Sequence, residues 1–479
     1  MGNAAQVEQQ SVATFDDELA WRFARSAAVT ATPLCSVEGF RDWFAACRRA
    51  DQLAVERIPF ADLVGWQFDD EGNLRHDSGR FFTIEGLDVC TDFGFVEHWQ
   101  QPIINQPEIG VLGIVVKEFD GVLHFLMQAK AEPGNIGGVQ LSPTVQATRS
   151  NYLRVHQGRA VPYLEHFLDA QPDAVLVDVL QSEQGAWFLR KRNRNIVVEA
   201  TGPVETLPGF CWLTLGVLRE LLRQDNTVNM DARTVLSCVP WRISPPQAAA
   251  GDEFTRALAR GLDPGAAARH GAAEILHWLT DLKARHELRQ RLIPLAAVAD
   301  WQRGADEIAH VSGKYFRVIA ARVSAGQREV DSWTQPLLAP VGQGVAVFLA
   351  TAIEGVLHLL VNAKLEAGVL DVAELAPSVQ CQPANHEDLP VPRQPAFLRD
   401  VLDDGLGTVR YSGLQSEEGG RFQHADNLYQ IRLLPADFPI AEPPGFRWMT
   451  PAQITNLLIH SNYANVQARS LMACLLASW

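Results

Sequence analysis

Apolar and polar residues recur with two different periods along this chain, and the changes of period outline its elements. Between residues 36 and 57 the apolar positions follow helical spacing. VLGIVVKEF and VLHFLMQAK, between residues 111 and 130, read instead as strands. They are joined by Asp120-Gly121, a dipeptide suited to a two-residue hairpin because both turn positions need positive φ. Farther on, WLTLGVLRELLRQ at 212–224 sets Leu215, Leu218, Leu221 and Leu222 on one stripe behind Thr214, whose hydroxyl suits an N-cap. Such a mixture predicts an α+β fold. Within the second strand Leu123, Phe125, Met127 and Ala129 share one face, and Val122, His124, Leu126, Gln128 and Lys130 share the other. The first face reads as core. The second carries imidazole, carboxamide and ammonium groups, which suits either a half-solvated sheet surface or the floor of a polar cleft.

The strand phrase is written twice. GVLHFLMQAK at 121–130 returns as GVLHLLVNAK at 355–364, an offset of 234 that also relates Trp99, Gln101 and Pro102 to Trp333, Gln335 and Pro336. LQSEQG at 180–185 returns as LQSEEG at 414–419, and PGFCWLT at 208–214 as PGFRWMT at 444–450. A repeat of this length is a duplicated domain rather than a solenoid, so each copy is expected to own a core. The expected organisation is an N-terminal extension over 1–35, a first module over 36–240, a linker over 241–270 and a second module over 271–479. The Ala-, Gly- and Pro-rich stretch between the modules reads as a linker with one short helix.

Composition narrows the classes of function. A net charge of −15 argues against nucleic acid as a partner, because phosphate backbones select basic surfaces. No apolar run approaches the roughly 18 residues needed to span a bilayer, and the first residues lack the pattern of a secretory signal, so a soluble cytoplasmic protein is expected. Seven scattered cysteines without a C-x-x-C pair read as free thiols. No Walker A loop, strand-linked G-x-G-x-x-G, G-x-S-x-G, H-E-x-x-H or zinc-type spacing is found, so neither a nicotinamide cofactor nor a metal is indicated.

The remaining polar stretches supply candidate chemistry. SPTVQATRSNY at 142–152 alternates Thr144, Gln146 and Thr148 and then carries Arg149 and Tyr152. LQSEQGAWFLRKRNRN contributes Gln181 and Glu183, then Arg190, Lys191, Arg192 and Asn193, a basic run able to neutralise a diphosphate. The second copy reads QHADNL at the corresponding place. Trp66 and Trp301 stand at matching positions, where either core packing or stacking on a base would suit them.

Taken together, the duplicated QP…GVLHFLMQAKAEPGN…SPTVQATRSNY, LQSEQG and PGFCWLT…NTVNMDARTVLSC phrases resemble the NDP-hexose 2,3-dehydratases over nearly the full length. The resemblance implies two Nudix-like α/β modules, a homodimer, and dehydration of dTDP-4-keto-6-deoxyglucose on the way to antibiotic deoxysugars, with no cofactor and with a 3-ketoreductase to capture the product. Of the Nudix metal-binding motif only Arg219-Glu220 is echoed. For such a reaction Glu132 and Glu183 are the candidate bases, and Lys130, His124 and Tyr152 the candidate acids or oxyanion donors. Trp66, Gln128, Thr144, Gln146, Arg149, Gln181, Arg190, Lys191, Arg192 and Asn193 are candidates for binding substrate. The second copy keeps Trp301, Lys364, Glu366, Gln380 and Glu417 but has His386 for Tyr152 and lacks the basic run, so turnover is expected in the first pocket. The competing readings are a non-catalytic sugar-nucleotide binder and a metal-dependent nucleotide-sugar hydrolase.

Overall fold

The computed structural model describes residues 17–148, 161–325 and 332–479. Each copy builds a seven-stranded mixed sheet. In the first, strands Val175–Ser182, Arg192–Glu199, Gly110–Phe119, Val122–Ala131 and Phe210–Leu213 lie side by side, and the second repeats the order from Thr408–Ser416 to Phe446–Met449. Arg192–Glu199 runs parallel to Gly110–Phe119 and the other neighbours are antiparallel. The hairpin turn has the geometry its sequence dictates, with φ of 49° at Asp120 and 78° at Gly121. Thr214 accepts a hydrogen bond from the Val217 amide and caps the helix Leu215–Leu221. Of the stretch 36–57 expected to be helical, Val37–Ala50 is a helix after a Ser36 cap, whereas Ala54–Ile58 is a strand.

Two smaller sheets depart from the expectation of two self-contained cores. Strand Ala54–Ile58 of the first copy pairs with Phe316–Ser324 of the second, and strand Leu288–Ile293 of the second pairs with Thr83–Thr91 of the first. The copies have exchanged a strand each. Their main sheets also share one apolar core, in which Phe125, Met127 and Leu236 are contiguous with Phe348, Leu359 and Leu471. The segment read as a linker is itself structured. It holds the helices Pro245–Ala250 and Glu253–Gly261, and Phe254, Ala257 and Leu258 of the latter join that core. A helical period with apolar residues at i, i+3 and i+4 was present there, masked by the Ala and Gly around it. No helix among the described residues is long and apolar enough to cross a membrane.

At the centre the helices Met230–Ser237 and Val466–Cys474 pack together, each with a fully buried arginine. Arg233 donates to the carbonyls of Val228 and Ser416, and Arg469 to those of Ala464 and Ser182. Each arginine therefore spends its planar donor set on carbonyls of both copies, holding the strand end that precedes a candidate glutamate. A second junction lies at the loops. Gly134 donates to the Gly419 carbonyl at 2.7 Å and its carbonyl accepts from His424 at 2.8 Å; Gly368 makes the same pair of bonds with Gly185 and Arg190. A Cβ on Gly134 would overlap the Phe422 carbonyl, and one on Gly368 the Phe188 carbonyl. Only glycine permits this approach.

Candidate active site

The loop junction forms the wall of a cavity of about 950 Å³. Its floor is the first copy's main sheet, from which Lys130, Glu132, Gln146, Glu183, Lys191 and Asn193 face inward, and its far end is lined by Trp66, His76, Phe81 and Phe82. The second copy closes it with Arg322, Trp333, Gln335, Glu418, Gly420 and Arg421. The size and the mixture of aromatic and converging polar groups are those of a small-molecule site.

Side chains inside it are held by one another. Lys130 Nζ lies 3.4 Å from Glu132 Oε1, Gln146 donates to that oxygen at 2.8 Å, and Asn229 donates to Gln146 at 3.3 Å. Glu132 is 7% exposed, so its pair with Lys130 is a buried one. Asn193 is the brace for Glu183: its carboxamide oxygen accepts from the Gly110 amide and its nitrogen donates to Glu183 Oε1 at 2.7 Å. Glu183 Oε2, buried, has no hydrogen-bond partner among the described residues. Burial raises the Glu183 pKa above the usual carboxylate range, against the opposing charge of Arg469 and the Asn193 bond. Burial likewise lowers the pKa of Lys191, whose ammonium donates to the Glu108 carbonyl. Trp66 packs tilted on Phe82 at 4.9 Å and edge-on to His76 at 5.3 Å. Arg421 places its guanidinium 4.3 Å over the Phe82 ring.

Several sequence candidates stand elsewhere. His124 is fixed beneath the N-terminal segment, with Nε2 3.1 Å from Thr32 Oγ1 and Nδ1 2.9 Å from the Val122 carbonyl; His358 repeats this against the Arg269 amide. Its repetition therefore has a packing reason. Thr144 accepts from the Val115 amide and donates to the Leu126 carbonyl, the role Ser378 fills in the second copy, so it spans a gap in the sheet ladder. Gln181 is fully buried and donates to the Leu458 carbonyl of the other copy. Gln128 borders a separate cavity of about 430 Å³, which Lys130 also reaches. The basic run is divided by the turn: Arg190, at φ 49°, donates to Gln290, Arg192 does not line the cavity, and Lys191 alone points in. Arg149 and Tyr152 lie outside the described residues.

The second copy repeats the brace with a different ending. Lys364 donates to the Gln380 carbonyl at 3.0 Å and Gln380 donates to Glu366 at 2.9 Å, while Trp301 packs on Phe316 at 4.7 Å. Both oxygens of Glu417 are occupied, by Gln184, Asn427 and Tyr429. Sequence reading passed over His76, Asp231, Arg322, Glu418 and Arg421. The signal for Asp231 and Glu418 was available where the copies differ, since Gln467 and Gln184 stand at the matching positions.

The family model described as NDP-hexose 2,3-dehydratase matches this chain twice, over residues 37–239 and 272–475. A relative from Saccharopolyspora spinosa is 49% identical over 100% of this chain and 99% of its own. Another from Amycolatopsis orientalis is 49% identical over 95% and 94%, and a third from Streptomyces violaceoruber 49% over 91% and 96%. All three are named dTDP-4-dehydro-6-deoxy-alpha-D-glucopyranose 2,3-dehydratase. With both copies matched and the cavity built between them from braced carboxylates and cations, the chain belongs to the NDP-hexose 2,3-dehydratase family.

Proposed function

We propose that this chain is a hydro-lyase that removes water across C2 and C3 of dTDP-4-keto-6-deoxyglucose to give a 3,4-diketo-2,6-dideoxy sugar nucleotide. The observation that carries this reading is Glu183: it lines the cavity, one oxygen is braced by Asn193, and the other is buried and unpartnered among the described residues. A carboxylate so held is a base ready for a carbon acid. The C4 ketone acidifies the C3 hydrogen, Glu183 takes it, and the enolate expels the hydroxyl at C2; the enol that remains tautomerises to the diketone. Lys130, steadied by Glu132, faces the developing C4 oxyanion. Lys191, Arg322 and Arg421 carry the positive charge for the diphosphate that the sequence run 190–192 was expected to supply, and Trp66 and Phe81 offer faces for the base.

Turnover in this reading belongs to the first pocket, because the matching Glu417 has both oxygens engaged. The Nudix-like description of the modules rests on the resemblance and on a mixed sheet with helices against it, and the homodimer rests on the resemblance alone. The lability expected of a free diketone supports a 3-ketoreductase acting next, in cytoplasmic deoxysugar assembly for antibiotics. Incubating the purified chain with dTDP-4-keto-6-deoxyglucose, with and without a ketoreductase and with EDTA, tests the reading. Trapped dideoxy product that is insensitive to EDTA is expected. Binding without product would favour a binder, and Mg²⁺-dependent release of dTMP a hydrolase.

A further inference from the structure

We infer that Asp231 and Glu418, one from each copy of the module, are the acids of the elimination, jointly holding the proton that the departing C2 hydroxyl takes with it. The inference rests on the dehydratase reading above and adds to it the second half of the proton traffic. Glu183 can remove a proton, but hydroxide is a poor leaving group and has to depart as water.

Asp231 and Glu418 both line the cavity that Lys130, Glu132 and Glu183 line. Asp231 is 2% exposed, on the helix Met230–Ser237 that Asn229 caps, while Glu418 arrives on the loop clamped to Gly134. Glu418 Oε1 and Glu132 Oε1 lie 2.8 and 3.5 Å from the place a Gly420 Cβ would occupy, so they flank one small region. The duplication sets the two pockets apart. In the other copy Gln467 replaces Asp231 and Gln184 replaces Glu418, and these amides serve structure: Gln184 donates to Glu417, and Gln467 accepts from Gln380. The fold therefore accepts an amide at each position, and only one pocket has two acids there.

Electrostatics agrees. Burial, then the charges of Glu183, Glu418 and Glu132, raise the Asp231 pKa well above the ordinary value, with Lys130 opposing. Glu418 is pushed up to about 7, by burial first and then by Glu132 and Glu183, against Arg421 and Lys191. Both shifts favour the protonated acid, so the pair is suited to holding a proton near neutral pH. The step balances: Glu183 takes the C3 proton as the C3–H bond breaks, and the acid pair protonates the C2 oxygen as the C–O bond breaks and water leaves. Glu183 then returns its proton to C2 while the enol hydroxyl proton restores the acid.

Asp231→Asn and Glu418→Gln are the decisive variants. The expected result is a 10²- to 10⁴-fold loss of elimination in each, with dTDP affinity within threefold of wild type. In D₂O each variant is expected to keep exchanging the C3 hydrogen of unreacted substrate, because enolate formation needs Glu183 and not the acid; Glu183→Gln should lose the exchange. Elimination by either variant at more than a tenth of the wild-type rate overturns the inference, as does loss of exchange together with elimination. A wild type that leaves the substrate untouched sinks the reading itself, and this inference with it; active wild type with active variants sinks the inference alone.

Discussion

Glu183 shows how much one hydrogen bond decides. Asn193 ties down a single oxygen, burial favours the neutral acid, and Arg469 nearby favours the ion, so the group is poised as a base rather than locked in an ion pair. Glu183→Gln should lower kcat by about 10²- to 10⁴-fold with KM changed far less, measured by trapping the product with a ketoreductase. Glu418 sets a pH dependence. It must be protonated to act, and its pKa is held at about 7, so kcat is expected to fall as pH rises through neutrality, and a flat profile from pH 6 to 8.5 would contradict this. Glu366, in the second copy, carries a stability effect. Its folded pKa of about 7, raised by burial from an ordinary 4.5, means the folded state binds the extra proton between those values. Its contribution is intact below pH 4.5 and lost as pH rises through 7. The difference is on the order of 3 kcal/mol at most, so Glu366→Gln should stabilise the chain at pH 8 relative to pH 5 in denaturant titrations.

At the scale of elements, the loops that connect strands do the chemistry that strands alone cannot. Gly134 and Gly368 let the two loops approach to backbone hydrogen-bond distance, and this contact delivers Glu418 and Arg421 to the cavity. Gly134→Ala would drive a methyl into the Phe422 carbonyl, so a loss of about 1–3 kcal/mol, the scale of an overpacked site, is expected by urea unfolding. Activity should fall more than it does in Gly368→Ala, because only the first junction carries a candidate acid, Glu418. Much of this level was legible beforehand: the hairpin at Asp120-Gly121 and the Thr214 cap follow from local pattern. The roles of His124, Thr144 and Gln181 were not. Each stands at a position that is polar in both copies, but repetition alone does not distinguish a buried group meeting a backbone partner from one facing a ligand. Both satisfy the same demand that a buried polar atom be paired.

The whole molecule is a pair of copies that cannot be separated cleanly. Strand Ala54–Ile58 lies in the second copy's sheet and Leu288–Ile293 in the first's, and Arg233 and Arg469 bind backbone carbonyls across the divide. Residues 17–240 and 241–479 expressed apart are therefore expected to be aggregated or unfolded, and to regain the far-ultraviolet dichroism and activity of the intact chain only when co-expressed. Independent folding of either half would contradict the exchange.

Sequence by itself determined the central hairpin, the capped helix, the duplication and the family, because periodicity, turn chemistry and repeated phrases are properties of neighbouring residues that survive translation along the chain. It also held, unread, the replacement of Asp231 by Gln467 and of Glu418 by Gln184 between the copies. What only tertiary structure decided is the membership of the cavity. Glu418 and Arg421 meet Glu132 and Lys191 through a strand exchange and a glycine contact that join residues hundreds of positions apart, and no local pattern encodes which side of that contact a side chain will face.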